Sequence, residues 1–395
     1  MATLTLRDLD VRGKRVLMRV DFNVPLDDAG NITDDRRIRE SLESIRWVMS
    51  HGGRLVLMSH LGRPKGKRNP KMSLAAAATI LGKLLGQPVK FANDCIGEEA
   101  EKVVASLKDA EVSLLENLRF YDAEEANDPD FAAKLAKLGD VYVNDAFGSA
   151  HRAHASTEGV TRHFKANAAG FLMEKELTYL GQAIEKPQRP FVAVMGGAKI
   201  SGKIDVINNL LPKVDKLLIG GGMAYTFYKA MGLEIGKSLL EADRIGLAKD
   251  LLAKAGDKIV LPADVVVADK FDNAANAKVV PRDRIPANWE GVDVGPETVK
   301  LFSHIIAGAK TIVWNGPMGV FEMPNFAKGT DGLAKAVAEA TDKGAISIIG
   351  GGDSALAIQQ SGYAERMSHI STGGGASLEF MEGKVLPGVA ALTQK

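Results

Sequence analysis

The chain has 395 residues, which at roughly 150 residues per domain predicts two sizeable domains or one large domain with insertions. Hydrophobic residues make up 46% and charged residues 25%, enough apolar material for folded cores, which excludes disordered, collagenous and low-complexity classes. Fifty Lys and Arg against 49 Asp and Glu leave a formal charge of +1, so no global field draws the chain to nucleic acid or an anionic membrane, and any anion site has to be local.

In chain order, short β-branched runs fall at 15–20, 54–59, 89–91, 112–115 and 141–144, and again at 191–194, 216–219, 258–261, 311–314, 345–349 and 369–371. Amphipathic stretches separate them. Ile38, Leu42, Ile45 and Met49, for example, recur at the three- or four-residue spacing that puts apolar side chains on one helical face. This alternation predicts an α/β protein with two Rossmann-like domains, each a parallel sheet flanked by helices. Fourteen of the nineteen arginines lie before residue 165, whereas all three Gly-Gly-Gly triplets lie after it. Between the halves, Phe171, Leu172, Leu177, Leu180 and Ile184 predict a joining helix, ended by Pro187 and Pro190. The expected organisation is a first domain over 1–170, an interdomain helix over 171–187 and a second domain over 188–375.

The single cysteine, Cys95, can form neither an intramolecular disulfide nor a multi-thiolate metal site. It points to a reducing compartment, and no apolar run approaches the roughly 18 residues of a spanning helix, so a soluble, untargeted, cytoplasmic chain is expected.

In open parallel sheets, ligands bind beyond the carboxyl ends of the strands. In the first half those positions hold Asp21, Asn23, His60, Arg63, Arg119, His151 and Arg152. One such arginine alone would be a solvated surface charge; their common placement predicts a site for a compact anion. Arg36, Arg37 and Arg39 follow a cap-like Thr33-Asp34-Asp35, where cations oppose the helix dipole unless an anion is bound.

In the second half the same positions carry Gly196-Gly197-Ala198-Lys199, Gly220 to Gly222, Asn315-Gly316-Pro317, Gly350-Gly351-Gly352-Asp353 and Gly373 to Gly375. Glycine between strand and helix either makes a tight turn or frees backbone N–H groups for phosphate oxygens, and five such clusters in succession predict a nucleotide site. Lys199 and Lys203 would share a helical face if the helix began near Ala198, with an anion relieving their repulsion. Gly197 to Lys203 almost spells a Walker A loop, but Ile204 replaces the hydroxyl residue that would bind magnesium. Gly350, Gly352 and Ala355 fit only a relaxed dinucleotide fingerprint. Asp353 is read either as an N-cap or as a magnesium anchor. His151 and His154 have H-x-x-H spacing without a third ligand, which argues against zinc.

Together, Val20-Asp21-Phe22-Asn23-Val24-Pro25, Ser59-His60-Leu61-Gly62-Arg63-Pro64, Gly196 to Lys203, Trp314-Asn315-Gly316-Pro317, Val320-Phe321-Glu322, Gly350 to Ser354 and Ser371 to Gly375 resemble the phosphoglycerate kinase family, in the family's order. The resemblance implies a glycolytic kinase, in which a hinge closure lets an in-line transfer carry the acyl phosphate of 1,3-bisphosphoglycerate to Mg-ADP. It implies acid binding by Asp21, Asn23, Arg36, His60, Arg63, Arg119 and Arg152. It implies nucleotide binding by Lys203, Glu322, Gly350, Gly351, Gly352, Asp353 and Ser354, with Glu322 at the ribose and Asp353 on Mg2+. Lys199 and the Gly373 to Gly375 turn, Gly374 included, would face the transferring phosphoryl group beside Arg36 and Lys203. A C-terminal tail over 376–395 returning to the first domain, and a monomer, are also implied. The chemistry agrees: the acceptor is a carboxylate already ionised at pH 7, so no general base is required. A P-loop NTPase or dehydrogenase would need a complete fingerprint. A non-catalytic sugar-phosphate sensor would have little reason to keep Lys203, Glu322 and Asp353 together.

Overall fold

In the computed structural model, which describes residues 3–395, the runs of the first half form parallel strands β1 (Arg15–Arg19), β2 (Arg54–Met58), β3 (Val89–Phe91), β4 (Val112–Leu114), β5 (Val141–Asn144) and β6 (Asn167–Ala169), in the order β3-β4-β2-β1-β5-β6. Alternate side chains serve opposite faces. Val16, Met18, Leu55 and Leu57 enter one core, while Leu17, Val56 and Met58 enter the other with Tyr142 and Leu135. β6, Asn-Ala-Ala, lacks strand propensity and was not expected; pairing with β5 and full burial hold it there.

The second half forms β7 (Phe191–Met195), β8 (Lys216–Ile219), β9 (Ile259–Val260), β13 (Thr311–Asn315), β14 (Ile346–Gly350) and β15 (His369–Ile370), a parallel sheet ordered β15-β14-β13-β7-β8-β9. Between β9 and β13 the chain adds an antiparallel layer, β10 (Asp264–Ala268), β11 (Ala277–Pro281) and β12 (Glu290–Val294), ordered β11-β10-β12. A reading confined to βα units misses this layer. Val192, Val194, Leu218, Ile312, Trp314 and Ile349 fill the core on one face of the parallel sheet.

The chain divides into two compact units, Met1–Thr178 with Val385–Lys395, and Tyr179–Lys384. The boundary falls within the helix Phe171–Glu185, and the return begins at Val385 rather than 376, because Gly375–Met381 is a helix of the second unit. The returning segment is stitched to the first unit by Leu4 N–H to Thr393 O and Gly388 N–H to Ala150 O, both at 2.8 Å, and by Thr393 N–H to Asn167 O at 2.9 Å.

Each sheet has a switch point where successive connections turn to opposite sides, β1/β5 in the first and β7/β13 in the second. Register aligns the strand ends there: Arg19 lies beside Met58 and Asn144, and Asn315 beside Met195 and Gly350. The loops that follow therefore emerge along one edge of each sheet.

Candidate functional site

On the first unit, the edge is built from side chains fixed by a buried polar network. Arg19, the last residue of β1, is fully buried; its Nε donates to Ser156 Oγ at 2.9 Å and its Nη2 lies 3.0 Å from His60 Nδ1. A guanidinium can only donate, so His60 Nδ1 accepts and the ring carries its proton on Nε2. Burial, then the charges of Arg19, Arg119 and Arg37, push the His60 pKa well below its ordinary value. His60 is thus a neutral donor rather than a cation. His154 is likewise held neutral, down to about 3, by burial and by Arg19 and Arg119. Glu124 completes the network by accepting from Ser156 N–H at 3.0 Å and from the Ser156 hydroxyl, and burial raises its pKa.

The loop 59–64 is strung on three neighbours. Asn23 Oδ1 accepts from Gly62 N–H at 2.8 Å, Asn117 brackets Leu61 through Oδ1 and Nδ2, and Arg119 Nη1 donates to Gly62 O at 2.9 Å. Arg119 is buried, and its Nε–H, 3.4 Å from Glu125 Oε1, has no hydrogen-bond partner. A buried guanidinium held in place by Gly62 O and the Glu125 carboxylate is a fixed fork that suits carboxylate or phosphate geometry. Arg63 and Arg152 are exposed, and Arg152 Nε donates to His151 Nε2 at 3.1 Å.

The predicted clash of arginines with a helix dipole is relieved inside the chain. The helix Arg36–Glu40 is short, and each arginine meets a carboxylate: Arg36 with Asp34 at 2.6 Å, Arg37 with Asp21 at 2.5 Å, Arg39 with Asp35 at 2.8 Å. Asp21 is buried behind Arg37.

On the second unit, the edge is built from backbone. Gly196 and Gly316, after β7 and β13, approach so closely that a Cβ on Gly316 would stand 2.2 Å from Gly196 O. These glycines are required by the crossing of two loops at the switch point. Gly351 has φ +91° and caps the helix Gly352–Gln360, whose first turn opens beside β13. Asp353 therefore lies within the first turn, and the N-cap role expected for it belongs to Gly351; its carboxylate is exposed. Ser354 is buried, its hydroxyl accepting from Gly316 N–H at 2.6 Å.

The helix after β7 begins at Ile204, with Lys203 as its cap, so Lys199 stands on the preceding loop and does not share a helical face with Lys203. Lys199 is exposed. Lys203 Nζ donates to Asn315 Oδ1, and burial, only partly offset by Asp353 and Glu382, pushes its pKa down to about 8. Asn315 Nδ2 is buried without a partner. Glu322 is exposed on a turn that Val320 N–H ties to Val292 O of β12 at 2.9 Å. Gly374, φ +41°, precedes the helix Gly375–Met381, with open space where a Cβ would be.

Arg19 and Asn117 escaped the sequence reading, while Arg37 entered it only for its place against a helix dipole and Asn315 only as the start of the Asn315-Gly316-Pro317 run. Arg19, the last residue of β1, lies inside the predicted run 15–20 and so ahead of the positions inspected. Leu239, 44% exposed and packed near Gly222, adds an apolar wall beside the glycine loops. Among the described residues no group of three His, Cys, Asp or Glu side chains forms a metal cluster, and no helix is long and apolar enough to cross a membrane.

Two parallel sheets, one with an arginine edge on a buried polar network, the other with crossing glycine loops, a half-buried lysine and an exposed acid in a first helical turn, define an α/β protein of the phosphotransferase class. A family model described as Phosphoglycerate kinase matches residues 6–384. The phosphoglycerate kinase of Chloroherpeton thalassium is 60% identical over 396 residues, covering 100% of both chains, and that of Chlorobium luteolum 59% over 395 residues, covering 99% of this chain and 100% of its own. Among solved structures, phosphoglycerate kinase from Coxiella burnetii superposes with a TM-score of 0.91 at 43% identity and 99% coverage of each chain; that from Pyrococcus horikoshii gives 0.86 at 34% and 98%. The chain belongs to the phosphoglycerate kinase family. It is a glycolytic kinase, transferring the acyl phosphate of 1,3-bisphosphoglycerate to ADP reversibly, with 3-phosphoglycerate and ATP as products.

Proposed function

We propose that the first unit holds the phosphoglycerate through Asp21, Asn23, Arg36, His60, Arg63, Arg119 and Arg152, and that the second holds ADP or ATP through Lys203, Glu322 and Gly350 to Ser354. The observation that carries the nucleotide assignment is the meeting, at the β7/β13 switch point, of half-buried Lys203, the unpartnered Asn315 Nδ2 and the first turn of Gly352–Gln360. A cation, an orphan donor and a helix N-terminus suit a polyphosphate. The base would lie against Leu239, with Glu322 at the ribose.

Asp353 is a hard, exposed oxygen donor beside that turn, and a magnesium ion is commonly held by one or two carboxylates plus substrate phosphates, so the residues present fit Mg2+. When bound, the ion would neutralise charge on the phosphate oxygens. Asp353 would hold it; Arg36, Lys199, Lys203 and the Gly374 turn would neutralise and orient the phosphoryl group during in-line transfer. Arg36 would have to exchange Asp34 for substrate oxygen. His60 would donate Nε2–H to the acid without delivering a charge.

Transfer between ligands held on separate units would require a closure that excludes water, with residues 171–187 as the hinge. Small-angle scattering with both ligands should then show a compaction absent with either alone, and an unchanged radius would overturn closure. A cytoplasmic monomer of 42.1 kDa completes the reading, supported by the lone, buried Cys95.

The test of the assignments is Mg- and ATP-dependent phosphorylation of 3-phosphoglycerate, coupled to NADH oxidation, for Lys203→Ala and Asp353→Asn. Both are expected to weaken MgATP while leaving 3-phosphoglycerate binding intact. Variants that bind MgATP as tightly as the parent would refute the nucleotide assignment.

A further inference from the structure

The loop carrying Lys199 and Lys203 runs from Gly196, after β7, to the helix Ile204–Leu210. Its middle is held by a residue distant in sequence. Glu241 Oε2 accepts from Ile200 N–H at 2.6 Å and Ser201 N–H at 3.1 Å, and Oε1 accepts from the Ser201 hydroxyl. Consecutive N–H groups ahead of a helix are where a bound anion would sit, and here the chain's own carboxylate fills that place. Glu241 is anchored in turn: its N–H donates to buried Thr226 Oγ1 at 3.3 Å, and its carbonyl accepts from Arg244 N–H at 2.9 Å. Ile200 is fully buried, and Lys203 N–H closes a turn onto Ile200 O at 2.9 Å. The two lysines therefore flank a point whose position Glu241 determines.

We propose that Glu241 is a positioning residue for the phosphoryl transfer, fixing the loop so that Lys199 and Lys203 stand where the phosphates need them. This rests on the reading that those lysines meet the nucleotide phosphates. Glu241 also denies Ile200 and Ser201 N–H to the nucleotide, as Pro317 O at 2.9 Å denies Gly197 N–H. Although burial opposes it, the Ser201 and Ile200 hydrogen bonds and the charge of Lys199 keep Glu241 below the usual carboxylate range, so it is ionised throughout neutral pH.

The test is steady-state kinetics of the full chain carrying Glu241→Ala, Glu241→Asp or Glu241→Gln, with Lys203→Ala alongside. A misplacement of about 1 Å costs up to about 100-fold, so Glu241→Ala is expected to lose about 10- to 100-fold in kcat while KM for 3-phosphoglycerate stays within about twofold. Added formate, which can occupy the vacated carboxylate position, should restore at least about tenfold of that loss, which a general loss of stability would not allow. Glu241→Asp, which keeps the charge but is too short to reach all three donors, should lose about tenfold, and Glu241→Gln, which keeps an oxygen for the two N–H groups, less than about threefold. Parental kcat in Glu241→Asp, or a Glu241→Ala loss that formate leaves untouched, overturns the proposal. If Lys203→Ala alone retains full MgATP turnover, the reading of the lysines fails; if Lys203→Ala collapses and the Glu241 variants do not, only the inference about Glu241 fails.

Discussion

The two sheet edges use the same topology for opposite constructions. On the first unit the groups that face outward are side chains, and their aim is set by residues beneath them: Arg19 orients His60, Asn117 and Arg119 string the 59–64 loop, Glu124 and Ser156 support Arg19. On the second unit the edge is largely main chain, admitted by loops that cross with no room for a Cβ, with Lys199, Lys203, Asp353 and Glu322 contributing charge. A compact acid with a carboxylate and a phosphate is discriminated by directional forks. A polyphosphate chain is held by N–H groups that must come close. The first edge should therefore fail by losing a charge, the second by gaining an atom.

The largest expected effect breaks the first edge. Arg36→Ala should lower kcat by about a thousandfold, the scale of a lost charge-stabilising group in phosphoryl transfer, with MgATP affinity barely changed. Equal losses in kcat and nucleotide affinity, read by single-turnover kinetics and calorimetry, would make Arg36 a structural residue instead. Next, Gly316→Ala drives a methyl to 2.2 Å from Gly196 O. The overpacking costs about 1–3 kcal/mol, and nucleotide affinity should fall about 10- to 100-fold while 3-phosphoglycerate binding persists. A parallel loss of both ligands would mean that the glycine crossing supports the whole unit rather than its edge.

These contrasts explain what the sequence discloses. Strands announce themselves because both faces are buried and the runs are continuously apolar, as in Phe191–Met195. β6 and the antiparallel layer do not, since Asn167–Ala169 owes its strand to its neighbour and the hairpins sit where a βα rhythm is expected. The outward residues are legible because strand ends are. Their supports are not: Arg19 closes a strand, Glu241 acts across 40 residues on Ser201, and the pairing of Arg37 with Asp21 depends on a fold no spacing encodes. The shared face of Lys199 and Lys203 failed because the helix waits until Ile204, after Glu241 has bound the loop.

A smaller effect sharpens the second edge. Lys203, depressed to about 8 by burial, is neutral in a growing fraction above that pH, and phosphate favours only its protonated form. MgADP affinity should be level below pH 7 and weaken by nearly tenfold per pH unit between about pH 8 and 10, with a proton taken up on binding. Lys203→Met should bind weakly and flatten the profile. A wild-type Kd independent of pH up to 10 would show that the buried amine is not the phosphate contact. Calorimetry in buffers of different ionisation enthalpy measures both quantities.

The smallest effect concerns stability, and in each unit a buried aspartate beside a strand end carries it, Asp145 after β5 and Asp293 in β12. Asp145 Oδ1 accepts from Leu172 and Met173 N–H at 2.9 and 3.2 Å, holding the first turn of Phe171–Glu185, and Asp293 accepts from Gly329 and Val294 N–H at 2.7 and 2.8 Å. Burial pushes both up to about 7; Ser44 and the helix N–H groups oppose the rise at Asp145 and Glu43 adds to it, while Gly329 and Val294 N–H and Lys328 oppose it at Asp293 and Asp331 adds to it. A carboxyl whose folded pKa lies above its unfolded value binds more protons when folded, so stability falls as pH rises from about 4 through 7 and levels off beyond. Asp145→Asn keeps the acceptor without the charge, although Oδ2, already unpartnered, becomes an unpartnered amide. It should gain about 1–2 kcal/mol over the parent in urea unfolding at pH 8 and match it at pH 4. Asp293 accepts through both oxygens, Oδ1 from Val294 and Oδ2 from Gly329, so Asp293→Asn would turn an amide NH2 against one backbone N–H and should gain less than Asp145→Asn or lose stability. Identical pH profiles for parent and variants would mean that water reaches these carboxylates and the two strand ends are less alike than their hydrogen bonds imply.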